Sequence, residues 1–137
     1  MPFKHIALLG LGLIASSIAM ALRRNNSETK ITGFSRSKKT RRKAEKIDFC
    51  KVSESISECV LGADLIILCV PVGAMGDLMQ RVAPYLSKGT IVSDVGSVKV
   101  NVISEINPFI PKEVIFVPAH PLAGTENSGP DAGFATL

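Results

Sequence analysis

An apolar segment that runs directly into a glycine-rich turn constrains the fold of this chain more than any other stretch. Residues 6–9, Ile-Ala-Leu-Leu, have the length and composition of a buried β-strand, and residues 10–15 follow at once as Gly-Leu-Gly-Leu-Ile-Ala. Beyond the second glycine, Ile14, Ile18 and Leu22 recur four residues apart, which is helical spacing. The sequence therefore predicts a strand, a tight turn and a helix in immediate succession.

This succession is typical of a dinucleotide-binding site. The first glycine permits the tight turn, the second lets backbone N–H groups approach a diphosphate, and Ala15 is small enough for the helix to pack on the strand. The helix N-terminus adds free N–H groups and a partial charge of about +0.5. A methyltransferase with a nucleoside cofactor and an unrelated Gly-rich turn are the alternatives. The predicted diphosphate-binding residues are Gly10, Leu11, Gly12, Leu13 and Ile14.

Strand-like apolar segments alternate with helical segments along the whole chain. The predicted strands cover residues 4–9, 30–34, 49–52, 63–70, 90–93 and 114–117, and the predicted helices cover residues 13–24, 40–47, 53–61, 77–86 and 98–106. Because the connections are short, we expect right-handed crossovers within one parallel sheet. The predicted fold class is α/β, a doubly wound, Rossmann-like sheet with strand order 3-2-1-4-5-6. We expect one NAD(P)-binding domain over residues 1–137.

Charge and cysteine content restrict the class of protein. The net charge of +4 arises largely from a basic segment at residues 36–46, but the chain has one Tyr, no Trp and no nucleic-acid recognition motif, so no nucleic-acid partner is expected. Cys50, Cys59 and Cys69 have neither C-x-x-C spacing nor a histidine at metal-ligand spacing. We therefore expect no metal site and a reducing, cytoplasmic location. No apolar run approaches the roughly 20 residues that span a bilayer, so no membrane association is expected.

The residues after the second strand indicate which dinucleotide binds. An NAD site usually has Asp or Glu there, which accepts hydrogen bonds from the ribose hydroxyls. This chain has Ser35, Arg36, Ser37 and Lys38 instead. A guanidinium can pair with a 2′-phosphate, and hydrogen bonds to charged groups contribute about 1.5–3 kcal/mol. We predict NADP as the preferred cofactor, with NAD possible; the alternative is that Arg36 stacks on adenine without discriminating.

The carboxyl ends of the later strands are predicted to border the ligand, as in other doubly wound sheets. Val70 is the last residue of the predicted fourth strand, Pro71 and Val72 follow it, and Asp94 follows the fifth, so all four are predicted to contact the cofactor. His5, in the first strand before the glycine turn, is expected to be structural.

Three further side chains at this edge are candidates for chemistry. His120 follows the last strand between two prolines, and a neutral imidazole there can accept a proton from a substrate alcohol. Ser97 can donate a hydrogen bond, and Lys99 can attract a carboxylate. The alternatives are a surface or structural histidine, and helix-capping roles for Ser97 and Asp94.

Three segments together resemble the nucleotide-binding half of prephenate dehydrogenases, including the arogenate and cyclohexadienyl variants. They are the glycine turn at residues 9–14, Asp-Val-Gly-Ser-Val-Lys at residues 94–99, and Pro-Ala-His-Pro-Leu-Ala-Gly-Thr-Glu-Asn-Ser-Gly-Pro-Asp-Ala-Gly-Phe at residues 118–134. The last segment is the most specific, and Ala15 in place of a third glycine is a mild departure. The resemblance implies an enzyme of tyrosine biosynthesis that oxidises and decarboxylates prephenate or arogenate with NAD(P)+.

The resemblance also implies residue roles. His120 would bond the ring hydroxyl and assist hydride transfer, Ser97 would support both groups, and Glu126 would organise and gate the substrate site. Family members continue into a helical domain that forms a homodimer and supplies an arginine for a substrate carboxylate. That domain is absent from these 137 residues, so we expect cofactor binding but weak or no turnover. Another NADP-dependent β-hydroxyacid-type dehydrogenase and a non-catalytic nucleotide-binding module are the remaining alternatives.

Overall fold

Six strands pair side by side in one sheet. The computed structural model describes residues 3–25, 28–97 and 99–119. In chain order the strands are β1 (His5–Leu9), β2 (Lys30–Phe34), β3 (Lys51–Val52), β4 (Leu65–Leu68), β5 (Ile91–Asp94) and β6 (Ile115–Val117). All neighbours are parallel, and the order across the sheet is β3-β2-β1-β4-β5-β6. The predicted doubly wound, Rossmann-like α/β fold and its strand order 3-2-1-4-5-6 are confirmed.

Helices cover both faces of this sheet. They are α1 (Leu13–Arg24), α2 (Lys38–Ile47), α3 (Ile56–Val60), α4 (Val72–Val82) and α5 (Lys99–Ile106), with short 3-10 turns at Ala83–Tyr85 and Asn107–Phe109. On one face α1 and α2 pack against Ile6 and Leu8 of β1. On the other face α3, α4 and α5 pack against Ala7 and Leu9. Because alternate residues of a strand point to opposite faces, β1 lies at the centre of both layers of the core. In the described part of the chain, no helix is long and apolar enough to cross a membrane.

The register of the sheet aligns the carboxyl ends of four strands. Leu9 of β1 lies opposite Phe34 of β2 and Leu68 of β4, and Leu68 lies opposite Asp94 of β5. The connections that leave these strands therefore meet at one edge of the sheet. This is the edge at which open α/β sheets bind ligands, next to the strand where the chain changes direction across the sheet.

Helix α4 begins five residues earlier than the sequence predicted, at Val72 instead of Asp77. Gly73 and Gly76 lower the helix propensity of this segment, by about 1 kcal/mol per glycine relative to alanine. Gly76 has a packing reason, because a Cβ there would lie 2.6 Å from Glu105 Oε2 and 3.0 Å from the Glu105 carbonyl oxygen of α5. The close contact between α4 and α5 therefore explains the glycine at position 76, although glycine is unfavourable within a helix.

The start of α3 also differs from the prediction. Ser55, and not Ser53, is the N-cap, and its hydroxyl accepts a hydrogen bond from the Glu58 backbone N–H at 3.2 Å. Ser53 is buried, and its backbone N–H donates to the carbonyl oxygen of Gly33 at 2.8 Å. Ser53 thus prolongs the pairing of β2 with β3 instead of capping the helix.

At the amino end of the sheet, Asp64 ties β1 to β4. Its carboxylate oxygen Oδ2 accepts hydrogen bonds from the backbone N–H of His5 at 2.9 Å and of Lys4 at 2.8 Å. These bonds favour the ionised carboxylate, so the pKa of Asp64 lies below its ordinary value. His5 itself is buried with Nε2 2.8 Å from the Thr32 hydroxyl, and burial followed by the charge of Lys30 lowers its pKa. These contacts give His5 a structural role, as expected.

At the opposite edge, a buried ion pair joins three segments. Asp94 is fully buried at the end of β5, and its Oδ2 accepts hydrogen bonds from the Lys99 ammonium of α5 and from the Gly96 backbone N–H at 2.7 Å. Its Oδ1 accepts a hydrogen bond from the Ala119 backbone N–H at 3.1 Å, beyond β6. One carboxylate therefore holds the β5–α5 connection and the chain that leaves β6.

We expect Asp64 to make the stability of the fold depend on acidic pH. Because its folded pKa is lowered, the contribution of Asp64 is complete above the unfolded pKa, about pH 4, and disappears as the pH falls through the folded pKa. In Asp64→Asn the free energy of unfolding should be lower near neutral pH, and the difference from the unsubstituted chain should shrink on acidification. Urea denaturation at about pH 7 and about pH 3 measures both. A difference that does not change between the two pH values would contradict this role.

The substitution Asp94→Asn is expected to lower the free energy of unfolding by about 3 kcal/mol, because the Lys99 ammonium loses its carboxylate partner. Lys99 keeps a side-chain exposure of 28%, which places the expected loss at the lower end for a broken buried pair. Asp77→Asn is the matched control, since Asp77 pairs with Arg81 on the exposed face of α4 at 3.4 Å. The control should lose at most about 1 kcal/mol in urea denaturation, and equal losses in the two variants would contradict the prediction.

Candidate functional site

The glycine turn is held between two neighbouring strands. Gly10 has a φ of +101°, and its backbone N–H donates to the Phe34 carbonyl oxygen at 2.8 Å. A Cβ at Gly10 would lie 2.4 Å from the carbonyl oxygen of Cys69 and 2.9 Å from Val70 Cγ1. Glycine is therefore required here both by backbone conformation and by the close approach of the segment after β4.

The second glycine of the turn leaves open space at the start of α1. Gly12 is the N-cap of this helix, and no heavy atom lies within 4 Å of the position that a Cβ would take. As a glycine it has no side chain to cap the helix, and the first turn holds no acidic residue. The first N–H groups of α1, which include those of Leu13 and Ile14, are therefore suited to bind an anion.

Leu11 anchors this turn in the core. Its side chain is 2% exposed and lies over Gly33 of β2, where an added Cβ would come within 2.6 Å of Leu11 Cδ2 and 2.7 Å of Cys50 Sγ. Leu11 was predicted to bind the cofactor, and its buried side chain leaves the backbone as the part that could do so. The contact with Gly33 explains why the residue between the two glycines of the turn is apolar.

A cavity of about 270 Å³ opens beside the turn, at the carboxyl ends of β1, β2 and β4. Its apolar lining includes Ile56 and Leu78, and its polar lining includes Ser35 and Asp77. Six of the residues predicted to bind the cofactor line it, namely Gly10, Ser35, Arg36, Ser37, Val70 and Pro71. The cavity thus brings together the segments after three strands that the sequence had placed at one edge.

Four residues of α4 that the sequence did not predict as site residues complete the wall of this cavity. They are Ala74, Asp77, Leu78 and Arg81. Their spacing of three or four residues is that of one helix face. Only Ala74 lies outside the predicted helix at residues 77–86, and the sequence holds no signal that this face borders a cavity. Val72, the first residue of α4, was predicted to contact the cofactor; its Cγ2 would lie 3.2 Å from a Cβ at Gly96, so it packs under the β5–α5 connection.

The loop between β2 and α2 is short and internally bonded. The Ser35 hydroxyl accepts a hydrogen bond from the Ser37 N–H at 3.3 Å, and the Ser37 hydroxyl caps α2 by accepting from the Thr40 N–H at 3.2 Å. Arg36 is exposed, and Lys38 is the exposed first residue of α2. Within residues 3–25, 28–97 and 99–119, Arg36 forms no ion pair with a carboxylate.

The second half of the predicted site lies at the ends of β5 and β6. Asp94 is not an N-cap, because it is the last residue of β5 and its carboxylate is bonded within the protein. Ser97 is exposed in the β5–α5 connection. His120 and Glu126, predicted as catalytic, lie outside the described residues. Lys99 was predicted to attract a carboxylate, and the carboxylate that it bonds is that of Asp94.

The three thiols are held in their neutral form. Burial is the main cause in each case and raises the pKa of Cys50 to about 12, of Cys59 to about 11 and of Cys69 to about 12. For Cys69 the negative charge of Asp94 raises the pKa further. In the part of the chain that the structure describes, no group of three or more His, Cys, Asp or Glu residues is arranged to hold a metal ion.

The chain matches a known family and several of its members. The family model described as prephenate dehydrogenase, nucleotide-binding domain, matches residues 18–137. The cyclohexadienyl dehydrogenase of Zymomonas mobilis is 47% identical over 136 residues, which are 98% of this chain and 46% of that protein. The chain spans less than half the length of the curated relatives that it matches.

Two solved structures share the fold over nearly the whole chain. Prephenate dehydrogenase from Aquifex aeolicus, in complex with hydroxyphenyl propionate and NAD+, is 27% identical with a TM-score of 0.87, and the match covers 98% of this chain and 47% of that one. Arogenate dehydrogenase from Synechocystis is 32% identical with a TM-score of 0.82, covering 94% and 45%. By its sequence and by its fold, this chain belongs to the prephenate dehydrogenase family, of which it carries the nucleotide-binding domain.

Proposed function

We propose that this chain binds NAD(P) as the nucleotide-binding domain of a dehydrogenase that oxidises and decarboxylates prephenate or arogenate. The observation that carries the proposal is the open glycine turn at the start of α1, in a chain of this family. The first N–H groups of the helix would hold the diphosphate, as they do at other helix N-termini. The cavity of about 270 Å³ beside the turn would take the adenosine half.

Within this proposal, NADP is the preferred cofactor and NAD an alternative one. Three features support the preference. The Arg36 guanidinium is exposed and forms no ion pair with a carboxylate of the described residues. The first turn of α2 holds no acidic residue, and Lys38 adds a second exposed cation there. A 2′-phosphate would meet positive charge and a helix N-terminus there. The cavity also contains the Asp77 carboxylate, but it comes from α4 and is paired with Arg81.

The proposed chemistry places His120, Ser97 and Glu126 around the substrate. A bound nicotinamide supplies the hydride acceptor, and loss of carbon dioxide makes the substrate ring aromatic. His120 would bond the ring hydroxyl and take up its proton, with Ser97 supporting that contact and Glu126 organising the substrate site. Asp94 would keep the start of the last segment in place, because it bonds the backbone of Ala119, the residue before His120.

The relatives are longer than this chain, and we propose that the further part of such a protein completes the active site. That part would form the helical domain of a homodimer and supply an arginine for a substrate carboxylate. The free thiols, of which Cys50 and Cys59 are buried, fit a reducing cytoplasm, which is the location that we propose.

Arg36→Ala is expected to raise the Kd of NADP+ by about tenfold to hundredfold, the range for a lost charged hydrogen bond, and to leave the Kd of NAD+ nearly unchanged. Isothermal titration of the 137-residue chain with both dinucleotides measures this. Lys46→Ala, in the last turn of α2, removes the same charge far from the N-terminus of the helix and should change neither Kd. Equal losses for both dinucleotides would contradict discrimination by Arg36 and would indicate stacking on adenine.

The purified chain is expected to bind dinucleotide but to oxidise prephenate weakly or not at all in a steady-state assay. A fusion of this chain to the remaining part of the Zymomonas relative, which it matches at 47% identity, should gain activity. In that fusion, His120→Ala should lower kcat by about 10²–10⁴, the usual contribution of general base catalysis. Rapid turnover by the chain alone, or an unchanged rate in the folded His120→Ala fusion, would count against these assignments.

A further inference from the structure

Two arginines near the end of β2 are placed in different ways. Arg36 belongs to the loop that lines the cavity and is exposed. Arg41, one turn into α2, has a side chain that is only 13% exposed. The sequence presents both as members of one basic segment, but only Arg36 is open to solvent.

The guanidinium of Arg41 bonds the backbone of the cavity loop. Its Nη1 donates hydrogen bonds to the carbonyl oxygens of Ser35 at 2.6 Å and of Arg36 at 3.2 Å. The same guanidinium lies 5.6 Å from the centroid of the Phe34 ring, within the range of a cation–π contact. Phe34, Ser35 and Arg36 all line the cavity, so one cation contacts three consecutive residues of its wall.

A carboxylate holds Arg41 from another element. Glu54, between β3 and α3, has Oε2 3.3 Å from Arg41 Nε and Oε1 3.0 Å from Arg42 Nη1. Arg42 also bonds Glu45 at 2.8 Å and is about half exposed. Arg41 and Arg42 therefore share the Glu54 carboxylate, but the hydrogen bonds to the loop carbonyls come from Arg41.

We propose that Arg41 is a positioning residue that shapes the Ser35–Arg36 backbone for the adenosine ribose of the dinucleotide, an inference that rests on the proposed function. Carbonyl oxygens carry partial negative charge, and a hydrogen bond to Arg41 keeps two of them engaged within the protein. The loop then offers its side chains to the ligand, including the Arg36 guanidinium. Without Arg41 the two peptide groups would have more conformational freedom. The entropy lost when the ligand orders them would then weaken binding.

The experiment compares Arg41→Met with Arg42→Met by titration of NADP+ and NAD+. Methionine keeps an apolar side chain beside Phe34 but removes the donors. We expect Arg41→Met to raise the Kd of NADP+ by about tenfold, with a smaller rise for NAD+, and Arg42→Met to change either Kd by less than about twofold. Arg41→Lys, which keeps the charge and one donor nitrogen, should recover part of the affinity. Unchanged affinity in folded Arg41→Met overturns the proposal.

A double-mutant cycle separates positioning from direct contact with the ligand. If Arg41 acts through the loop that carries Arg36, adding Arg41→Met to Arg36→Ala should raise the Kd of NADP+ by less than about threefold further. Fully additive losses would mean that Arg41 binds the phosphate itself, and they would overturn a positioning role. Thermal unfolding checks that each variant is folded, and Glu54→Gln, which weakens the hold on Arg41, replaces Arg41→Met if that variant does not fold.

Wild-type binding separates this inference from the function on which it rests. If the unsubstituted chain binds neither dinucleotide, the proposed function fails and the positioning role fails with it. If it binds dinucleotide and Arg41→Met binds equally well, the positioning role alone fails. If it binds NAD+ in preference, the same comparison applies to NAD+, and a rise in that Kd for Arg41→Met but not for Arg42→Met supports the proposal.

Discussion

The close approach between Gly10 and the end of β4 is the constraint on which the rest of this site depends. A Cβ on Gly10 would lie 2.4 Å from the Cys69 carbonyl oxygen, so the bare α-carbon lets the turn rest against the neighbouring segment. The N–H of the same residue bonds Phe34 at the end of β2. The turn is thereby tied to both neighbours of β1, at the position where the helices that follow pack on opposite faces. A crevice forms at such a position, and Gly10 lines it.

The charged and polar groups at this edge are of two kinds: some are bonded within the protein, and others remain accessible to a ligand. Asp94 is fully buried and accepts hydrogen bonds from Lys99, Gly96 and Ala119, so it joins segments of the scaffold. Arg41 bonds backbone carbonyls in the same manner on the other side of the site. The first N–H groups of α1 and the exposed side chain of Arg36 remain for a ligand. The bonded charges hold the loops, and the open ones are suited to attract an anion.

Local patterns predicted most of the fold. The bounds of α1 and of β2 agree with the prediction, because apolar periodicity and the residues that end an element act within a few positions. The start of α4 did not follow from its local pattern, because Gly73 and Gly76 both lower the helix propensity. Gly76 is nevertheless needed within the helix, because a side chain there would collide with Glu105 of α5. The missed start left Ala74 outside the predicted helix, whereas the place of Asp77, Leu78 and Arg81 in the cavity wall follows from how α4 packs on the sheet. Ser55 displaced Ser53 as the cap of α3 because Ser53 pairs with Gly33 across the sheet, a partner 20 positions earlier in the chain.

By itself the sequence determined the order of strands and helices, the glycine turn that a diphosphate requires, and the lack of a carboxylate directly after β2. Each of these depends on a few neighbouring residues. Only the tertiary structure decided that Arg41 turns inward to the Ser35 and Arg36 carbonyls while Arg36 stays exposed. It also decided that Asp94 bonds the backbone of Ala119, 25 residues further along the chain. The physical reason is that two arginines in one basic segment have the same chemistry, and their partners are chosen by the distances that the packed sheet sets between separate strands.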